Sequence, residues 1–224
     1  MALFDLTMPI GPVEALSERF DQAPRPVPAM TTHTWTIQAP PHPPYQARVH
    51  VFAFWGMAGT YIDFPGHIVE TDDGQDAASI PAESLFRIPA QLARLDRSRQ
   101  PGPISAADLQ AACDRQTPPP GLVINALGSA RCDQIPDRSV FLAKDAVRWI
   151  VDRGTRLLVA DVYESNDQPQ DVFRTLFAAG VATVCRPAAL GVLPRQRLRL
   201  TALPLRCVGA TQLPCRLLAE TEPA

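Results

Sequence analysis

The chain has 224 residues, of which 46% are apolar and 20% charged, with a net charge of −2 and an isoelectric point near 6.1. This balance is typical of a soluble globular protein and gives no overall field that favours nucleic acid or an anionic membrane as a partner. No apolar run approaches the ~20 residues that a membrane-spanning helix needs, and the N-terminus lacks the pattern of a signal peptide. Five scattered cysteines without a Cys-x-x-Cys pair argue against disulfides and predict a cytoplasmic protein.

Proline is unusually frequent, with 24 residues against 12 glycines. Many of the prolines fall between residues 23 and 44, where they predict a stiff, extended, non-helical segment. Because a linker so close to the N-terminus would tether very little, we interpret residues 23–44 as an arm that covers a site or a partner subunit.

The first half of the chain predicts few regular elements. Residues 4–7 alternate as in a short strand, and residues 13–20 read as a brief helix. Residues 47–54 alternate and then become apolar, which predicts a strand that enters the core. This strand leads to Gly59 and Thr60, two small residues that allow the backbone to approach a site closely.

Strands and helices alternate in the second half. Ser105 and Asp108 have the spacing of a capping box, which predicts a helix start at this point. Further strands are predicted at 121–126, 156–161, 181–185, 197–205 and 213–218, and amphipathic helices at 142–152 and 169–179. The pattern predicts an α/β fold, with one mixed domain over residues 1–224.

The most informative segment, residues 57–67, reads Met-Ala-Gly-Thr-Tyr-Ile-Asp-Phe-Pro-Gly-His. It resembles the signature His-x-Gly-Thr-His-x-Asp-x-Pro-x-His of the cyclase family, which includes bacterial kynurenine formamidase and isatin hydrolase. The frame is kept at Gly59, Thr60, Asp63, Pro65 and His67, whereas Met57 and Tyr61 stand in place of the first two histidines. Further segments at 5–10, 156–161, 201–205 and 213–216 are similar to family elements and follow in the same order. The resemblance implies a kynurenine formamidase-like (swivelling β/β/α) fold and a homodimer or homotetramer.

The resemblance also implies a metal site, and this chain departs from it. Family members bind zinc or manganese through the signature histidines and aspartate, plus a histidine and a glutamate that fall on Phe173 and Cys185 here. Only Asp63 keeps its ligand type, and a tight zinc site needs at least three good donors. We therefore predict a pocket without a metal cofactor. The alternative is a rebuilt zinc or manganese site formed by Asp63, His67 and Cys185.

Three residues of the signature are candidate catalytic groups. His67 matches the family's acid/base histidine, and its ordinary pKa of ~6.5 suits proton transfer at neutral pH. Asp63 could orient His67, and Tyr61 could donate to a substrate carbonyl or oxyanion. The structural alternatives are a loop histidine, a turn-forming aspartate and a core aromatic residue.

The substrate pocket is expected to be apolar and aromatic. Its predicted lining consists of Trp55, Met57, Phe64, Phe173 and Cys185. Cys185 precedes Arg186, whose charge could lower the thiol pKa and make a nucleophile, although a pocket-lining role is favoured. Glu164, after a predicted strand, is interpreted as a solvated loop charge.

Three functions follow from these residues. The first is a metal-independent acid/base enzyme that cyclises, dehydrates or isomerises a hydrophobic carbonyl compound, in a pathway for a specialised metabolite. The second is a metal-dependent amide hydrolase with a rebuilt site. The third is a non-catalytic protein that binds a small molecule in the former active site.

Overall fold

The structure is a computed structural model that describes residues 2–10, 29–114, 117–131, 134–136, 138–194 and 196–221. The predicted helix at 13–20 and the first part of the proline-rich arm lie outside these residues. The strands are β1 (Leu3–Asp5), β2 (Ala29–Ile37), β3 (Tyr45–Ala53), β4 (Tyr61–Asp63), β5 (Ile88–Arg94), β6 (Gly102–Ile104), β7 (Gly121–Asn125), β8 (Val140–Leu142), β9 (Leu157–Ala160), β10 (Ala182–Cys185), β11 (Arg197–Pro204) and β12 (Gln212–Thr221). The α-helices are α1 (Ala106–Ala112), α2 (Lys144–Asp152) and α3 (Val172–Ala178).

Eight strands form one sheet in the order β1-β12-β11-β5-β7-β9-β10-β4, and β12 pairs with β4 as well. That extra pairing closes the sheet into a barrel, with β1 added outside the ring on β12. Strands β5, β7, β9 and β10 run parallel, so their carboxyl ends share one edge of the barrel. The predicted mixed α/β fold is confirmed.

Side chains alternate between the two faces of the barrel wall. Leu92, Val123 and Val184 belong to a core cluster that draws on every strand of the ring and so fills the barrel. Leu122 and Leu158 point the other way, into a second cluster shared with α1, α2 and α3. The short parallel strands are buried on both faces, which explains their continuous apolar sequences.

Most predicted elements of the second half are confirmed, with small shifts at their ends. Ser105 and Asp108 form the predicted capping box, each side chain bonding the other's backbone nitrogen. The helix predicted from residue 142 begins at Lys144, because residues 140–142 form a strand beside β6. The helix predicted from residue 169 begins at Val172.

The strand predicted at residues 47–54 forms, but the expectation that it enters the core is wrong. It is β3, which pairs among the described residues with β2 alone, in a separate two-stranded sheet, and Phe52 is 61% exposed. The polar and apolar residues of β3 alternate because the two faces of the β2–β3 hairpin differ, and this alternation does not require that either face packs against the core. The hairpin includes the described part of the arm.

The extent of the domain and of the arm stay predictions. Within the described segments, the helices are all too short or too polar to cross a bilayer.

Glu164 organises the loop before α3. Its carboxylate accepts hydrogen bonds from the backbone nitrogens of Gln170 (2.6 Å), Val172 (2.9 Å) and Ser165 (3.1 Å). The interpretation of Glu164 as a solvated loop charge is therefore wrong. The carboxylate satisfies donors at the start of the helix, where negative charge is favourable.

Replacing Glu164 with alanine is expected to lower the free energy of unfolding by about 1–3 kcal/mol, because hydrogen bonds to a charged group are lost. Urea denaturation measures the change. Asp167→Ala is the matched control, since this exposed carboxylate lies in the same loop. Equal effects of the two substitutions would contradict a specific role for Glu164.

Candidate functional site

The Gly-Thr pair of the signature fixes the backbone that leads into β4. Gly59 has a φ of +63°, and a Cβ there would lie 2.6 Å from the Met8 carbonyl oxygen, so only glycine fits. The Thr60 hydroxyl accepts a hydrogen bond from the Met8 nitrogen and donates one to the Arg186 carbonyl, both at 2.7 Å. These two residues join the N-terminal segment to the turn after β10, which is a structural role.

Strand β4 then places alternate residues on opposite faces. Tyr61 and Asp63 face the helix-covered side, where their register partners are Cys185 on β10 and Gln212 on β12. Phe64 lies on the opposite side, 1% exposed within the barrel core. The prediction that Phe64 lines the pocket is therefore wrong, because its position in the strand period directs it away from Asp63.

Asp63 is buried, with 2% of its surface exposed, and it accepts two hydrogen bonds. The Gln212 amide nitrogen donates to Oδ1 at 2.7 Å, and the Cys185 thiol donates to Oδ2 at 3.7 Å. Burial raises the pKa of Asp63 to about 7, although the bonds from Gln212 and Cys185 act in the opposite direction. Its carboxyl group can therefore change protonation state at neutral pH.

His67 ends a short 3-10 turn, Pro65–His67, and its side chain is partly exposed. Its Nε2 lies 3.2 Å from the Gln212 amide nitrogen. With the amide in this orientation its nitrogen donates, so Nε2 is assigned as the acceptor and the ring proton is assigned to Nδ1. Partial burial lowers the pKa of His67, which keeps the ring neutral at neutral pH.

Gln212 is a candidate functional residue that the sequence did not reveal. Asp63 was predicted to orient His67 directly, but the amide of Gln212 stands between them and bonds to both. The prediction of a direct dyad is corrected to a relay of three side chains. No local motif marks Gln212, since only the pairing of β12 with β4 brings it beside Asp63.

Cys185 is a protonated thiol in this site. It is 3% exposed, and burial, with the negative charge of Asp63, raises its pKa well above the ordinary value. The Tyr61 hydroxyl hydrogen-bonds the Cys185 sulfur, and the pKa of Tyr61 is raised by burial in turn. The hypothesis of a thiolate activated by Arg186 is therefore not supported by the geometry, because the carboxylate is the dominant neighbouring charge.

Aromatic rings form a wall beside His67. Phe177 meets the imidazole edge-on at 6.4 Å between ring centroids. Phe173 packs 5.9 Å from Phe177 and stacks on Tyr163 at 5.0 Å. Phe173 is partly exposed, as a pocket wall requires, and Phe177 and Tyr163 are buried behind it.

Trp55 and Met57 are half-buried in the turn before Gly59. Gly56, between them, packs against Gln212, and a Cβ there would lie 2.7 Å from the Gln212 carbonyl oxygen and 2.9 Å from Oε1. This turn therefore packs closely against Gln212, which hydrogen-bonds both Asp63 and His67. The roles of Trp55 and Met57 in binding substrate stay predictions.

The donor set at the site does not fit a divalent metal. Among the described residues, histidine, cysteine and carboxylate side chains nowhere come together in a group of three that could hold an ion. Asp63 and Cys185 contact each other, but the Tyr61 hydroxyl also hydrogen-bonds the Cys185 sulfur. The Gln212 amide separates His67 from the Asp63 carboxylate. An amide N–H donates a hydrogen bond and does not coordinate a metal, and Asp63 with Cys185 supplies only two of the three donors that a tight zinc site needs.

Comparison with known proteins identifies the family. The Cyclase family model matches residues 4–166, and no relative among curated protein sequences matches the chain. Similar solved structures include a potential metal-dependent hydrolase with cyclase activity (TM-score 0.71, 22% identity, 99% of both chains) and a predicted metal-dependent hydrolase from Bacillus stearothermophilus (0.69, 24%, 97% of both chains). Isatin hydrolase A from Ralstonia solanacearum is also similar (0.72, 17%, 99% of this chain and 92% of that chain). At these identities the structures establish the fold alone. The chain belongs to the Cyclase family and has its kynurenine formamidase-like fold, as the signature at residues 57–67 predicted.

Proposed function

We propose that this protein is an enzyme that uses acid/base chemistry, without a metal ion, to cyclise, dehydrate or isomerise a hydrophobic carbonyl compound. The observation that carries the proposal is the amide of Gln212, which bonds the buried carboxyl of Asp63 and the imidazole of His67 at once. Family membership supports an enzymatic role. The partly exposed ring of Phe173, with Phe177 packed behind it, suits an apolar or aryl substrate.

The relay can exist in two states, set by the proton on Asp63. When Asp63 is ionised, the Gln212 N–H groups face Asp63 and His67, and Nδ1 of His67 carries the proton. When Asp63 is protonated, a half-turn of the amide lets Gln212 Oε1 accept from the Asp63 hydroxyl and from His67 Nε2–H. The Nδ1 lone pair is then free to act as a base.

The proposed reaction takes place in the second state, in which Asp63 is protonated. Nδ1 of His67 takes a proton from the carbon beside the substrate carbonyl, and the electron pair moves onto the carbonyl oxygen as an enolate. The imidazolium then returns that proton, either to another carbon in an isomerisation or to a leaving hydroxyl, which departs as water. Tyr61 can stabilise the enolate oxygen if its hydroxyl turns away from the Cys185 sulfur.

Asp63 gives the proposal a pH-dependent test. Since the active state needs a protonated Asp63, whose pKa is raised to about 7, turnover should fall as the pH rises above about 7. Asp63→Asn is expected to keep activity and lose this alkaline limb, because its amide can donate to Gln212 Oε1 as a protonated carboxyl does. Asp63→Ala should be slower at every pH. Steady-state pH profiles of the three proteins measure these effects.

A stability measurement provides a second readout that needs no substrate. The folded-state pKa of Asp63 lies above its ordinary value of 3.8, so its contribution to stability is present below that value and is lost as the pH rises through about 7. Asp63→Asn should remove this part of the pH dependence of urea denaturation. An inactive Asp63→Asn protein, together with wild-type activity that a chelator abolishes and zinc restores, would contradict the proposal.

That outcome would favour the second candidate, a metal-dependent hydrolase, which is what two similar structures are called. It would require Asp63, His67 and Cys185 to rearrange around an ion. Binding of a carbonyl compound without any conversion would indicate the third candidate, a binding protein. A cytoplasmic location is part of the proposal, and the free thiols of Cys113, Cys185, Cys207 and Cys215 support it. The homodimer or homotetramer stays a prediction.

A further inference from the structure

A second polar cleft lies at the carboxyl ends of the parallel strands β5 and β7. Its volume is about 570 Å³, within the range of small-molecule sites. Its lining includes Arg94, Asp96, Arg99, Asn125, Gly128 and Gly191. None of the residues of the Asp63–Gln212–His67 relay contributes to it, so it is a separate site. Crevices outside the carboxyl ends of parallel strands are common ligand sites.

Arg94 and Asn125 stand side by side in this cleft. They are register partners at the ends of β5 and β7. Ala90 and Leu92 on β5, and Val123 on β7, point into the barrel, so the period of two places Arg94 and Asn125 on the same inner face, at the barrel mouth. A cation and an amide are thus held together by rigid strands.

The side chain of Asn125 supplies an independent sign of a ligand. Asn125 is 0% exposed, and within the described part of the chain neither its Oδ1 nor its Nδ2 has a hydrogen-bond partner. An amide buried in this way is costly to the fold. A polar group bound in the cleft would satisfy it.

The charges around Asn125 favour an anion. The Arg94 guanidinium is held by a hydrogen bond to the Leu193 carbonyl, and Arg99 adds a second cation against the single carboxylate of Asp96. A Cβ on Gly191 would lie 2.6 Å from the Gly128 carbonyl oxygen, so the segment at Gly191 packs backbone to backbone against the loop at Gly128. This close packing fixes that part of the wall of the cleft.

We propose that this cleft binds a small polar metabolite bearing a carboxylate or phosphate group. Arg94 and Arg99 hold the anionic group, and Asn125 bonds a neutral oxygen or nitrogen of the same molecule. The bound molecule is a ligand of the barrel mouth and takes no part in the chemistry at His67.

The test uses malate, which combines carboxylates with a hydroxyl, and inorganic phosphate as separate probes of the full-length protein. We expect at least one probe to give saturable NMR shifts of the Gly128 and Ser129 amides and of the Asn125 side chain, with a Kd of about 1 mM or tighter. A response to malate alone identifies a carboxylate ligand, and a response to phosphate alone identifies a phosphate ligand.

Two variants make the result specific. Asn125→Leu keeps the side-chain size but removes the amide, and it should weaken binding by about 10-fold or more while raising the melting temperature. Arg99→Gln should weaken binding by a similar factor, and Arg148→Gln, an exposed arginine on α2, should leave it unchanged. The proposal is overturned by the absence of saturable shifts with both probes, or by unchanged affinity in Asn125→Leu.

Discussion

Replacing Gln212 with leucine is expected to slow turnover by about 10²–10⁴-fold, the usual contribution of a positioned acid/base group. Leucine has a similar size but cannot hydrogen-bond, so Asp63 loses its 2.7 Å bond and His67 loses the partner that fixes its tautomer. The imidazole, held by no other side-chain hydrogen bond among the described residues, would then lose its fixed orientation towards the substrate. Initial rates on any carbonyl compound that the wild-type enzyme converts measure the loss.

A double substitution separates this role from a general disturbance of the fold. If Gln212 acts through His67, then Gln212→Leu combined with His67→Ala should be no slower than His67→Ala alone. Losses that multiply in the double variant would show that the two residues act independently. The substrate affinity of His67→Ala should stay close to that of the wild type, because the aromatic wall is untouched.

The second large effect concerns stability. Thr60→Val keeps the shape of the side chain but removes a hydroxyl that is hydrogen-bonded to the Met8 nitrogen and the Arg186 carbonyl. Thr60 is only 1% exposed, so water cannot replace either bond. Each buried backbone group left without a partner costs ~1–3 kcal/mol, and the expected loss of unfolding free energy is therefore about 2–4 kcal/mol.

Thr60→Ser is the matched control for this prediction. It keeps the hydroxyl and removes only a methyl group, so its loss should be about 1 kcal/mol, the scale for one buried methylene. Urea denaturation at constant pH measures both variants. A loss in Thr60→Val no larger than that in Thr60→Ser would contradict the structural role that we assign to the Gly-Thr pair.

Much of the fold could be predicted because its strands are buried on both faces. The predicted segments 121–126 and 156–161 have apolar centres, residues 122–124 and 157–160, and they match β7 and β9 closely. Residues 47–54 misled the prediction because alternation is a local property. Alternation of polar and apolar residues indicates that a strand has two different faces, but it does not indicate what each face packs against.

The site could be predicted only where the signature itself carries it. The two-residue period of β4 brings Tyr61 and Asp63 to one face of the strand and Phe64 to the opposite face. The linear signature motif does not show which residues share a face. Gln212 lies 149 residues from Asp63, and their contact depends on the closure of the barrel. Long-range pairing of this kind cannot be read from periodicity.

The most direct test of the Asp63–Gln212–His67 relay is the tautomer of His67, followed by ¹⁵N NMR of the imidazole as the pH is varied. We predict a proton on Nδ1 at alkaline pH, which moves to Nε2 as the pH falls through about 7 and Asp63 takes up its proton. In Asp63→Asn the Nε2–H tautomer should persist at alkaline pH. A tautomer that stays the same across this range in the wild type, or that changes in the same way in Asp63→Asn, would contradict the account.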